Sequence, residues 1–240
     1  MGIKDAIANF VSESFEPTEG SVLIRKRRVI NRFLANPENT FLVSFPRTGS
    51  HWLRMLMELY FERPSLVRVF YYPKCTDYLT LHTHDMNLDV ERRRVIYLYR
   101  EPIATIYSQL NYYKENIHDR QRIAYWSDFY GKHLDKWLHS ENFTVQKTVL
   151  RYEGLVADID AEFAKVTTHF NKPLDSAKLQ FSATITTKEA TKKKTVHDTQ
   201  VVNLGNQYEV TRQQFSDLYG QYVWKMVLLN REHLRKNFEQ

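Results

Sequence analysis

Two polarity patterns alternate along most of this chain. Short continuous apolar runs, as in "TFLVSF" (residues 40–45) and "RRVIYLYR" (93–100), show no period-two alternation. A strand covered on both faces needs no polar side, so such runs predict buried strands of a parallel sheet. Between them, apolar positions recur every three or four residues, as from Ser50 to Phe61, which predicts amphipathic helices. From Thr40 onward the chain reads as strand 40–45, helix 50–61, strand 78–83, strand 93–100, helices at 102–114 and 121–139, strand 144–152 and a helix at 155–170. That order predicts an α/β fold: a single domain with a central, mostly parallel sheet flanked by helices. Residues 1–38 read as two helical pieces broken at "EPTEG", part of or packed on a domain spanning 39–240. The tail reads as a polar turn at Tyr208 and then a long helix to Phe238, with Phe215, Tyr219, Tyr222 and Met226 on one face.

A length of 240 residues, 42% of them apolar and 14% aromatic, suits one large domain with its own core. No stretch approaches the run of about 18 apolar residues that a membrane helix needs, and "MGIKDAIANFVSESF" is not a signal peptide, so a soluble, cytoplasmic protein is expected. Ala6 stands where a myristoylation site wants Ser or Thr. Cys75 is the single cysteine, which leaves no internal disulfide. The formal charge of +6 points to an anionic partner: a nucleic acid, a membrane surface or a phosphorylated small molecule. The basic residues cluster at separate loop edges and in the run Arg25 to Arg28, not in a stripe interleaved with aromatics, which counts against nucleic acid.

In a parallel sheet, ligands bind beyond the carboxyl ends of the strands, and "SFPRTGS" lies at such an end. A glycine there lets backbone approach a ligand, the amides of the first helical turn point outward, and the helix dipole favours negative charge. Arg47 adds a planar fork of donors, so the junction reads as a P-loop-like anion cradle. It is not a Walker A loop, because no Gly-Lys-Ser/Thr follows; a P-loop kinase or NTPase stays as the rival with the same architecture. A second junction, "VIYLYREPIATIYSQLNYYK", places Arg100 at a strand end, Pro102 at a helix start and Ser108 two turns later, a second anion site on the same edge. His82 and His84 sit two apart on a strand and project to one side, the local look of a metal arm. No second His, Asp or Glu group completes a metal shell, so no metal is expected.

Together, "PRTGSHW" and "REPIATIYS" resemble the cytosolic and Golgi sulfotransferase family, whose members use 3′-phosphoadenosine 5′-phosphosulfate (PAPS) through a PKSGTTW loop and an RNPxDxxxSxY segment. "VLRYEGLVADIDAEFAKVTTHF" is similar to the family's LRYEDL strand and helix, and "LHTHDM" stands where the family has KTHLP. The resemblance covers residues 41–170 and implies transfer of a sulfuryl group to a hydroxyl or amine of a small-molecule or glycan acceptor, with PAP as product and no metal. It implies that Arg47 meets the phosphosulfate in place of the family's lysine, and that Thr48, Gly49, Ser50 and His51 offer amides and a hydroxyl to the same oxygens. It further implies that Trp52 and Tyr152 contact adenine and that Arg100 and Ser108 hold the 3′-phosphate. His84 falls on the family's general base, and His82 replaces the triplet's charge-stabilising lysine. "TITTKEATKKKT" loosely resembles a further segment, putting Thr186 and Thr187 near the nucleotide and leaving Lys192, Lys193 and Lys194 as stand-ins for the family's Arg-Lys-Gly loop.

Overall fold

The buried runs meet in one sheet. A computed structural model describes residues 20–140, 144–196 and 206–239; the stretch 1–15 and the first helical piece expected there lie outside the described residues. In chain order the strands are β1 (Val22–Leu23), β2 (Thr40–Ser44), β3 (Ser65–Leu66), β4 (Arg68–Val69), β5 (Thr80–Thr83), β6 (Arg94–Tyr99) and β7 (Gln146–Arg151). The helices are α1 (Arg27–Ala35), α2 (Ser50–Phe61), α3 (Pro102–Tyr113), α4 (Arg120–His139), α5 (Tyr152–Ala157), α6 (Ile159–His169), α7 (Ser176–Ile185), α8 (Lys188–Lys194) and α9 (Asn206–Val227), with a 3₁₀ turn at Glu232–Asn237. Five strands form an all-parallel sheet in the order β3-β5-β2-β6-β7, while β1 and β4 make a two-residue antiparallel pair.

Alternation along each strand divides the core in two. Phe41, Val43, Val95, Tyr97 and Tyr99 face one side, where they pack with Ile106 and Leu110 of α3, Ile123, Tyr130 and Leu134 of α4, and Phe215 and Val223 of α9. Leu42, Ile96, Leu98 and Leu150 face the other, against Leu53 and Leu56 of α2, Phe163 of α6 and Leu179 of α7. Both faces are apolar because both are covered, as the unbroken runs require. Helix α1 packs through Phe33, which meets Phe41 edge-on at a centroid distance of 6.1 Å.

Side chains set most helix starts. Glu101 accepts from the amides of Ile103 and Ala104 at 2.9 and 2.7 Å, and Asp119 from those of Gln121 and Arg122 at 2.8 and 3.3 Å. Asp158 accepts from the amide of Ala161 at 2.9 Å, and this cap splits the helix expected over 155–170 into α5 and α6. Asp175 and Thr187 likewise start α7 and α8, so Lys192, Lys193 and Lys194, expected to stand in for a loop of the family, lie on a helix. The tail also differs from expectation: Tyr208 lies within α9, which ends at Val227, and residues 232–237 continue as the 3₁₀ turn.

The chain leaves β2 toward β3 and β5 on one side and later places β6 and β7 on the other. This reversal of direction at β2 opens a crevice at the carboxyl edge, the position where open α/β sheets bind ligands. Four segments end there: β2 at Ser44, β5 at Thr83, β6 at Tyr99 and β7 at Arg151.

Candidate active site

Helix α2 starts differently from its neighbours. Its N-cap is Gly49, with φ at +95°, and no side chain caps the first turn. The amides that an α-helix leaves without intrahelical partners are therefore directed to whatever approaches from the sheet edge. Only glycine suits the position, because its φ is left-handed and a Cβ there would come within 2.5 Å of the Tyr152 ring. Arg47, two residues earlier, also has a positive φ of 73°, a strained conformation for an arginine.

Arg100 is held at the end of β6 by Tyr130, whose hydroxyl accepts from the Arg100 amide at 3.0 Å and donates to the Arg100 carbonyl at 2.6 Å. The Arg100 guanidinium lies over the Tyr152 ring at 4.3 Å and donates to the Arg47 carbonyl at 3.4 Å. Its buried Nε has no hydrogen-bond partner among the described residues. Arg47 reaches the same place from the other loop: its Nε donates to Ser108 Oγ at 3.1 Å, and its guanidinium covers the Tyr112 ring at 4.8 Å. The two expected anion sites thus meet at Arg47 and Ser108. Glu153 ties the loops together by accepting from the Glu101 amide at 3.0 Å.

His84 stands just beyond β5, and its Nδ1 lies 2.8 Å from the Ser44 carbonyl. A carbonyl only accepts, so the proton sits on Nδ1 and Nε2 keeps its lone pair. The His84 carbonyl in turn accepts from Nε2 of His133 at 2.8 Å, and His133 Nδ1 is 2.9 Å from the Tyr97 hydroxyl, which fixes the backbone at His84. Burial lowers the pKa of His84 against the opposing pull of the Ser44 carbonyl, and the charges of Arg54 and Arg47 push it the same way as burial. The ring is neutral at physiological pH. Burial also drives His51 and His82 well below the ordinary histidine value, followed by Arg54 and Arg68 at His51 and by His84 and Arg54 at His82.

Arg47, Gly49, Ser50, His51, Trp52, His84, Arg100, Ser108, Tyr152, Thr186 and Thr187 all line a single cavity of about 660 Å³. Trp52 and Tyr152 meet edge to face at 5.8 Å on its wall. The buried Thr186 hydroxyl has no partner among the described residues, whereas that of Thr187 accepts from the Ala190 amide at 3.2 Å. The other named residues sit elsewhere. Thr48 is buried with its hydroxyl donating to the Phe45 carbonyl at 2.8 Å. His82 lies behind His84, its ring 4.7 Å away and its Nε2 3.1 Å from Ser44 Oγ. Lys192 and Lys193 are exposed on α8, and Lys194 lies over the Tyr71 ring at 4.8 Å, so none of the three lines the cavity. Lysine reaches it instead at Lys188, joined by Thr191, Gln109, Tyr112 and Arg212, none of which motif spacing had singled out. Among the described residues, no three His, Cys, Asp or Glu side chains are grouped to hold a metal ion, and no helix is long and apolar enough to cross a membrane.

Chemically, the cavity joins an uncapped helix start, the guanidinium groups of Arg47 and Arg100 and the hydroxyls of Ser50 and Ser108 to a neutral imidazole with a free lone pair. Such a set can hold a nucleotide carrying two separate phosphate groups and accept one proton. No family model matches the sequence, and no curated protein matches it. Among solved structures the chain is similar to mouse sulfotransferase SULT7A1 complexed with PAP, at 16% identity and a TM-score of 0.56, over 85% of this chain and 90% of that one. Retinol dehydratase in complex with androsterone and the inactive cofactor PAP matches at 11% identity and a TM-score of 0.49, over 84% and 85%. With 90% of the mouse chain's length overlaid on its own, the chain has the sulfotransferase fold.

Proposed function

We propose that this chain transfers a sulfuryl group from PAPS to a hydroxyl or amine of a small acceptor, with His84 as the general base. The observation that carries this reading is the convergence on one cavity of the Gly49 helix start, the Arg100 and Ser108 pair and the Nε2 lone pair of His84. The residues fit the nucleotide: the buried Arg100 Nε and Thr186 hydroxyl are polar groups without partners among the described residues, beside a loop whose Gly49 leaves the Tyr152 ring room to stand against it. The solved complex of the similar mouse sulfotransferase with PAP supports the same choice.

PAPS, when bound, supplies an activated sulfuryl group on a phosphate leaving group. Every other task falls to this chain. Arg100 and Ser108 hold the 3′-phosphate, and the edge-to-face pair of Trp52 and Tyr152 flanks the base. Arg47 and the first-turn amides of α2 face the 5′ oxygens, where negative charge builds as the bond to the sulfuryl group breaks. His84 receives the acceptor's proton on Nε2 while Nδ1–H stays on the Ser44 carbonyl, which keeps the ring aimed as it becomes charged. His82, neutral and behind His84, is placed to support that ring rather than to meet the transferring group.

The test is ligand-induced stabilisation without magnesium. PAP binds the native state and raises Tm by mass action, and AMP, lacking the second phosphate, does much less. Equal shifts from both nucleotides defeat the reading.

A further inference from the structure

The residue after Ser108 is the least explained group in the cavity. Gln109 of α3 is 0% exposed, yet it lines the cavity, and neither its amide oxygen nor its amide nitrogen has a hydrogen-bond partner among the described residues. Carboxamides are not left so in a core without a reason, because each unpaired polar atom in a buried site destabilises the fold. Nothing assigned so far to the nucleotide satisfies this one. Phosphate oxygens only accept, so they leave the Gln109 carbonyl unmatched; the edge of the base offers both a donor and an acceptor and is the rival partner, which the PAP shift of a Gln109 variant separates. The neighbours on the same helix, Tyr112 and Tyr113, add flat aromatic walls, and His84 lines the same space.

We propose that Gln109 reads the acceptor. The acceptor class that fits is a hydroxyl compound carrying a second, neutral group that both donates and accepts, a carboxamide or a further hydroxyl, on a scaffold flat enough for the tyrosine walls. A carboxylate in that place leaves the Gln109 oxygen unpaired, and an alkyl group leaves both atoms unpaired. This rests on the sulfotransferase reading, in which the space beside His84 belongs to the acceptor. It makes Gln109 a specificity-determining residue: a site built to hydrogen-bond discriminates strongly against ligands that cannot answer it.

The test uses the full chain loaded with PAP and two phenols of similar size, 4-hydroxybenzamide and 4-isopropylphenol, with dissociation constants from ligand-observed NMR. The wild type binds the amide about 10- to 100-fold more tightly. Gln109→Met removes that preference, leaves the PAP-induced shift in Tm unchanged and raises the Tm of the free protein, since an unpaired carboxamide gives way to an apolar chain of similar volume. A glutamine with only a structural role lowers Tm instead. Equal affinities in the wild type, binding of neither phenol, or a preference that survives in Gln109→Met each overturn the proposal. So does loss of the PAP shift in the variant alone, which assigns Gln109 to the nucleotide. A wild type that shows no PAP shift defeats the sulfotransferase reading itself, a distinct outcome. Gln109→Leu supplies the same comparison should the methionine variant not fold, and failure of both to fold makes the residue structural and ends the proposal.

Discussion

Gly49 and Tyr152 are in contact so close that a single added carbon on Gly49 would stand 2.5 Å from one ring atom and 2.6 Å from another. The loop after β2 and the start of α5 thus form one wall, and Arg100 closes its far side at 4.3 Å from the same ring. Displacing Tyr152 displaces Arg100.

A Gly49→Ala variant follows from this contact. It meets the ring and must also hold a left-handed φ, which costs about 1–2 kcal/mol for a residue with a Cβ. PAP affinity is expected to fall by about tenfold or more, since about 1.4 kcal/mol of lost contact is already a factor of ten. Calorimetric titration of PAP into a folded variant measures it. Unchanged affinity means the first loop does not cradle the nucleotide.

If Arg100 holds the 3′-phosphate as proposed, Arg100→Ala removes a charge-assisted contact and is expected to weaken PAP binding by about 2–3 kcal/mol, with Ser108→Ala nearer about 1 kcal/mol. AMP, without that phosphate, should bind both variants almost as it binds the wild type. If AMP and PAP lose affinity equally, Arg100 acts on the fold rather than on the phosphate.

His84→Ala is expected to lower turnover by about 10²- to 10⁴-fold while PAP still binds, the mark of a group acting in the transition state. His82→Ala, behind it, retains most of the activity. Because burial holds the His84 pKa below its ordinary value, protonation disables the base only at lower pH, so the acid limb of kcat/KM lies below about pH 6.5. A limb at or above that pH, or a dead His82→Ala with an active His84→Ala, reverses the roles of the two rings.

Acid should unfold the protein through buried histidines that do not line the cavity. Burial pushes His133 down to about 3 and His169 down to about 4, the latter with help from Arg94. Both are neutral in the fold and protonate near pH 6.5 in the unfolded chain, so their contribution is complete above that pH and is lost progressively as pH falls toward 4 and then 3. Each pH unit in that window lowers stability by about 1.4 kcal/mol per histidine. Urea midpoints measured between pH 7 and pH 4 follow the decline, and His169→Gln should flatten it. A flat profile in the wild type contradicts the burial of these rings.

The strands were legible because a strand buried on both faces leaves an unbroken apolar run, and the two junctions that line the cavity because each pairs a strand end with helix-start chemistry. Asp158 was harder to see. An aspartate cap divides α5 from α6 with no glycine or proline to advertise the break. The strands β1, β3 and β4 have two residues each, too short for any period to show. Helix α8 was masked by its composition, since a lysine run looks the same on a helix as on a solvated loop until Thr187 is seen capping it. Gln109 was invisible for another reason. Its place on α3 is an ordinary buried one, and only the packing around it leaves its amide without partners.

Arg47 and Ser108 already hold one another at 3.1 Å. On the proposed reading, an incoming phosphate takes the guanidinium from a hydroxyl rather than from bulk water, and what Arg47 adds to affinity is the charged contact less the neutral one. The two residues form a thermodynamic couple. Removing Ser108 releases Arg47 as well as deleting a contact, so the effects of Arg47→Ala and Ser108→Ala on binding will not sum, and the size of that discrepancy in a double-mutant cycle measures how far the free protein rehearses its own ligand.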